Sequence, residues 1–89
     1  MKYTEFIKNL QQYIYNFDTF SIANTVRYLA SEFKILVNIN PEDIVMVYIN
    51  THQASAFVTI VLKTLTVKMR LYRDDQDNIF QVDLWYERD

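Results

Sequence analysis

The residues best equipped for chemistry are few and scattered. His52 is the only histidine in the chain, and imidazole is the side chain that changes charge nearest neutrality, so it can serve as a general base or metal ligand. It stands between Thr51 and Gln53 in a stretch that reads as a loop, where a solvated side chain is the plainer account. Asp74, Asp75 and Asp77 crowd a second loop. Neighbouring carboxylates perform acid–base catalysis when their surroundings push one pKa upward. In an exposed turn they more simply accept hydrogen bonds from nearby backbone N–H groups. The same cluster raises calcium, but an EF-hand loop needs glycine at its sixth position and glutamate at its twelfth. This chain has no glycine, and the twelfth position falls on Trp85, Tyr86 or Arg88. A small hydrolase or metal-dependent enzyme centred on His52 and the acidic loop is therefore the weakest of three functional readings. No catalytic residue, cofactor or metal is expected.

Two missing residue types remove whole classes of site. With no cysteine there is no disulfide framework, thiolate metal site or cysteine nucleophile. With no glycine there is no phosphate-cradling loop, dinucleotide fingerprint or nucleophile elbow.

Charge narrows the partners. Nine Lys/Arg against eleven Asp/Glu give a net charge of −2, whereas a general DNA binder carries a clear positive excess to neutralise phosphates. The charge is uneven along the chain. Lys63, Lys68, Arg70 and Arg73 fall in an acid-free stretch, and residues 74–89 are strongly acidic. Lys68, Arg70, Tyr72 and Trp85 make a basic and aromatic set of the kind that holds single-stranded nucleic acid. Asp83 and Glu87 on the same expected face oppose that use. Nucleic-acid binding is the second reading.

The elements that must position these residues follow from periodicity. Apolar residues at 3, 6, 7, 10, 13, 14 and 17 have the spacing of one helix face and predict a helix over 4–16. Asp18, Thr19 and Ser21 offer N-cap oxygens for a second helix over 20–36, with Ile22, Val26, Leu29, Ala30 and Phe33 on its apolar side. The Asn38–Asp43 stretch, which contains Pro41, stops it. Beyond this the chain alternates and is rich in β-branched and aromatic residues, predicting strands at 44–50, 55–62, 65–72 and 79–86.

Pairing 44–50 with 55–62 around residues 51–54 sets Val45, Val47 and Ile49 opposite Ile60, Val58 and Ala56. Pairing 65–72 with 79–86 sets Leu65, Val67, Met69 and Leu71 opposite Tyr86, Leu84, Val82 and Phe80, with Lys68 facing Asp83 and Arg70 facing Gln81 behind them. Between these hairpins, a tight turn at Lys63–Thr64 matches Leu62, Ile60 and Val58 with Leu65, Val67 and Met69. One long bulged strand would give the same change of parity, but 17 or more residues exceeds the usual strand length of about 3–10. The expected structure is a single α+β domain over 1–89. Two N-terminal amphipathic helices pack on a four-stranded antiparallel β-meander in two layers.

That register points apolar groups both ways near the start of the sheet. Ile44, Met46, Tyr48, Phe57 and Val61, with Trp85 farther across, fall on the face away from the helices. Lys68, Arg70, Tyr72 and Asp83 form its charged rim. Exposed apolar patches rimmed by charge mark partner sites, unless the first helix folds over this face instead. The leading reading is thus a non-enzymatic protein–protein interaction module that covers a partner's surface or forms a homodimer. An edge strand could also pair with a strand of the partner. Its size and lack of motifs suit a small inhibitor, immunity or adaptor protein, such as a phage or plasmid inhibitor of a host defence nuclease. The Asn-, Ile- and Tyr-rich composition suits an AT-rich genome. Charges interrupt the opening residues, and the longest uncharged apolar run, Ile44 to Ile49, falls well short of the roughly 20 residues a membrane helix needs. No membrane role and a cytoplasmic location are expected.

Overall fold

The computed structural model describes residues 1–88. Its order is α1 (Tyr3–Tyr15), α2 (Thr19–Glu32), a 3₁₀ turn (Pro41–Asp43), β1 (Ile44–Thr51), β2 (Ser55–Leu62), β3 (Thr66–Arg73) and β4 (Ile79–Glu87). The strands form one antiparallel sheet in the order β1-β2-β3-β4. This is the expected two-layer meander.

Both helices lie on the same face. Tyr3, Phe6, Ile7 and Leu10 of α1 and Ile22, Ala23, Val26 and Leu29 of α2 share one buried cluster with Val47, Val58, Ile60, Val67, Met69 and Leu71 of the sheet. The alternative in which α1 crosses to the other face does not occur.

The helix ends are set by hydrogen bonds, not by proline or glycine. After α1, Phe17 takes a left-handed conformation (φ 48°). Its N–H donates to the carbonyl of Ile14 at 3.0 Å, and that of Asp18 to Tyr13 at 2.8 Å, the paired closure of a Schellman motif. Asp18 then caps α2, accepting from the N–H of Ser21 at 3.1 Å and from its hydroxyl at 2.7 Å. The expected extension of α2 to residue 36 is corrected, since the helix stops at Glu32. Lys34 is left-handed (φ 57°), and the N–H groups of Lys34 and Ile35 donate to Ser31 and Ala30. Extended chain follows, with Ile35 and Val37 packed against the core, Ile39 fully buried and Leu36 95% exposed between them. Arg27 anchors this segment by donating to the Ile39 carbonyl.

The central hairpin turns as expected. Ile60 pairs with Val67 and Val58 with Met69, and the Leu62 N–H donates to Leu65 at 2.8 Å. Neither Lys63 nor Thr64 adopts positive φ. The Lys63 N–H is taken up instead by the carbonyl of Asp43 at 3.0 Å.

The outer hairpins differ from expectation by two residues each. Val47 pairs with Ile60 and Ile49 with Val58, because the β1–β2 turn tightens until the His52 N–H bonds to Ser55 at 2.8 Å. Across β3 and β4, Val67 faces Tyr86, Met69 faces Leu84 and Leu71 faces Val82. Lys68 is thereby opposite Trp85, and Arg70 opposite Asp83. A shift of two keeps every side chain on its face, so the core survives.

Two bulges do change faces. Between Ile44 and Met46 the register slips by one residue, which turns Ile44 inward (6% exposed) and Val45 outward (52%). At the start of β4 the register slips near Phe80. Ile79 enters the core, and Phe80 stands outside against Tyr72, their ring centres 6.4 Å apart.

Leu29 and Val67 are fully buried in the shared layer. Leu29→Ala should lower the unfolding free energy by about 2–5 kcal/mol, and Val67→Ala by about 1–3 kcal/mol, read from denaturant midpoints. Lys34→Gly should raise it by about 1 kcal/mol, because glycine removes the Cβ conflict at a left-handed position.

Candidate interaction surface

The sheet face away from the helices is laid out in rows across the strands. Met46, Val61, Thr66 and Glu87 form one; Tyr48, Thr59, Lys68 and Trp85 the next; Asn50, Phe57, Arg70 and Asp83 the third; and Ser55, Tyr72 and Gln81 the last. Of the residues the sequence assigns to the apolar part, Met46, Tyr48, Phe57, Val61 and Trp85 are all here. Ile44 is not. The bulge places it in the core, and Val45, which alternation assigned to the interior, is 52% exposed at the bulge.

The polar half of the face satisfies itself. Lys68 Nζ lies 2.7 Å from Glu87 Oε2. The Arg70 guanidinium sits 5.2 Å from the centre of the Phe57 ring, a cation–π contact. Phe57 meets Trp85 edge-on across β3, with ring centres 5.6 Å apart at 74°. Asp83 accepts from the Tyr72 hydroxyl at 3.1 Å and from Gln81 Nε2 at 3.2 Å. Charges held this way offer little to a phosphate backbone. Arg73 is similarly engaged, donating to the carbonyls of Gln53 at 2.6 Å and Asp74 at 3.1 Å.

The β1 margin of the apolar half has no cover of this kind. Val45, Met46 and Tyr48 are 52%, 44% and 51% exposed on β1, with Val61 and Phe57 half-buried beside them on β2.

The residues singled out for catalysis have structural surroundings. His52 is exposed in the β1–β2 turn, and its carbonyl lies 3.2 Å from the Tyr3 hydroxyl, which donates to Ser55 at 2.8 Å. Burial raises the Tyr3 phenol pKa, and nearby Arg73 offsets part of that rise. Asp74 accepts from the N–H groups of Gln76 and Asn78, each at 2.9 Å. Asp77 reaches across to α1, its carboxylate accepting from the Thr4 N–H at 3.2 Å and the Thr4 hydroxyl at 2.9 Å. Lys2, at the N-cap position, makes no side-chain cap, so Asp77 does that work from 73 residues away. Among the described residues no group of three or more His, Cys, Asp or Glu is placed to hold a metal ion. Nor is any helix of the described residues long and apolar enough to cross a membrane.

These hydrogen bonds predict acid behaviour. The Asn78 N–H above all, with that of Gln76 and the charge of Lys2, holds the Asp74 pKa below the ordinary aspartate value. The Ser21 hydroxyl and N–H do the same for Asp18. A carboxylate with a lowered folded-state pKa stabilises the fold above its unfolded value, and the gain is lost as pH falls through the folded one. Denaturant titrations should therefore show the wild type weakening below about pH 4. Asp74→Ala should be less stable than wild type at pH 7 and converge with it in acid.

Comparison with family models, curated proteins and solved structures gives no match for this chain.

Proposed function

We propose that this protein is a non-enzymatic interaction module that covers a partner protein with the outer face of its sheet, acting as a small inhibitor, immunity or adaptor protein. One observation carries the reading: Met46 and Tyr48 stand about half-exposed on a face that no helix covers. An open antiparallel sheet ordinarily presents polar side chains to water on its outer side. Here that holds for β3, and for β4 apart from Trp85, and fails for β1. Methionine and aromatic residues are enriched at protein interfaces, and a polar rim around an apolar centre is their usual arrangement. Met46, Tyr48, Phe57 and Val61 supply the centre, and Lys68, Arg70 and Asp83 the rim. Since the rim charges are already paired or stacked, binding need not strip isolated charges of water.

Tyr48→Lys tests the reading. The side chain points outward, so the unfolding free energy should stay within about 0.5 kcal/mol of wild type, while capture of the partner retained by the wild-type protein from its host cells is lost. Unfolding of the variant would place Tyr48 in the core, and undiminished capture would remove the face from the interface. Labelled single- and double-stranded DNA and RNA, titrated at two salt concentrations, should show no tight binding. Tight binding that weakens steeply with salt would favour the nucleic-acid alternative.

A further inference from the structure

The two outer strands of the sheet are protected very differently. At β4, the chain start closes the first part of the edge: the Ile79 N–H donates to the carbonyl of Met1 at 3.0 Å, the Tyr3 N–H to that of Asp77 at 2.8 Å, and Lys2 bridges to Asn78. A bulge follows near Phe80, and Asp83 and Glu87 add charge. Coverage, bulges and charge are the means by which proteins keep an edge from pairing with another chain. β1 carries neither charge nor proline from Ile44 to Thr51, and its bulge lies at its very start.

The open backbone groups of β1 can be assigned. The bond from the His52 N–H to Ser55 fixes the phase of the antiparallel ladder, in which hydrogen-bonded and non-bonded pairs alternate. Asn50, Tyr48 and Met46 therefore turn their N–H and C=O groups toward β2. Val47, Ile49 and Thr51 turn theirs away from the sheet, and no turn, loop or cap hydrogen bond from the described residues reaches them. An extended strand is the partner that satisfies such a row.

We propose that two copies of this chain pair β1 to β1, antiparallel about a two-fold axis, to form one continuous sheet of twice four strands. Self-pairing sets a strand against its own reverse, and β1 has no charge to meet its like. A register centred on Ile49 engages Val47, Ile49 and Thr51 of both copies and leaves the bulged Val45 outside the ladder. The axis stands perpendicular to the sheet, so both outer faces lie on the same side. In this register Tyr48 of each copy lies beside Asn50 of the other and Met46 beside His52, so the two apolar half-patches stand on either side of the seam on one face. The pairing uses backbone groups and is independent of which protein the outer face covers. A seam of one strand is a small interface, below about 1,200 Å², so association is weak.

Light scattering coupled to size exclusion, from micromolar to millimolar protein, should show the mass rise from 10.7 kDa toward twice that value. Over the same range, amide hydrogen exchange at Val47, Ile49 and Thr51 should slow. Thr51→Pro removes one outward N–H while leaving Met46, Tyr48 and Phe57 in place, and should hold the protein at the monomer mass with a retained folded spectrum. A monomer at every concentration overturns the proposal, as does a dimer in which these three amides stay unprotected. Because the proline substitution spares the outer face, loss of the dimer with retained partner capture supports the seam without touching the proposed function. If Thr51→Pro does not fold, the exchange measurement on the wild type decides.

Discussion

A single apolar layer between the helices and the inner face of the sheet governs everything else in this molecule. The stripes of α1 and α2 and the inward residues of four strands have no other way to leave water, and they meet in one cluster. Burying this surface is the main favourable term in folding, and it decides which side chains are spent on stability. What remains outside is the other parity of the strands. On β3 and β4 that remainder is polar apart from Trp85; on β1 it includes Met46 and Tyr48. The surface available for recognition is therefore a by-product of how the layer is filled.

A second constraint is local. The chain has no glycine, yet it needs left-handed residues at both helix ends and in the β3–β4 loop, and uses Phe17, Lys34 and Asp77 there. Each is held by hydrogen bonds around it. Asp77 repays its conformation by capping α1, and Arg73 and Tyr3 tie that corner to the β1–β2 turn. The charged groups that sequence inspection sets aside for chemistry are largely occupied in this way.

The sequence shows the parts of this structure that repeat and hides those that break a repeat. Alternation over residues 44–86 is enough to place four strands and their faces. It cannot distinguish registers two residues apart, since either keeps Val47, Val58, Val67 and Met69 inside. The bulge at Val45 leaves no mark, because Ile44-Val45-Met46-Val47 is apolar in either phase. That is why Ile44 reads as surface and Val45 as core, the reverse of the structure. The end of α2 was legible in part: Ile35, Val37 and Ile39 already alternate, although nothing about Lys34 announces a left-handed residue. The cap that Asp77 gives to α1 belongs to no local pattern.

The chain's first and last elements close on each other. Met1 to Tyr3 pair with residues 77–79, so contacts that finish the α1 terminus span most of the sequence. During synthesis the two helices leave the ribosome long before the strands that bury them and the loop that caps α1. Until β1 to β3 emerge, their apolar stripes have no sheet to settle on, and until residue 77 follows, α1 lacks its cap. Distant closures of this sort slow folding relative to local ones, and a nascent chain in that interval shows its greasy surfaces to chaperones or to neighbouring copies.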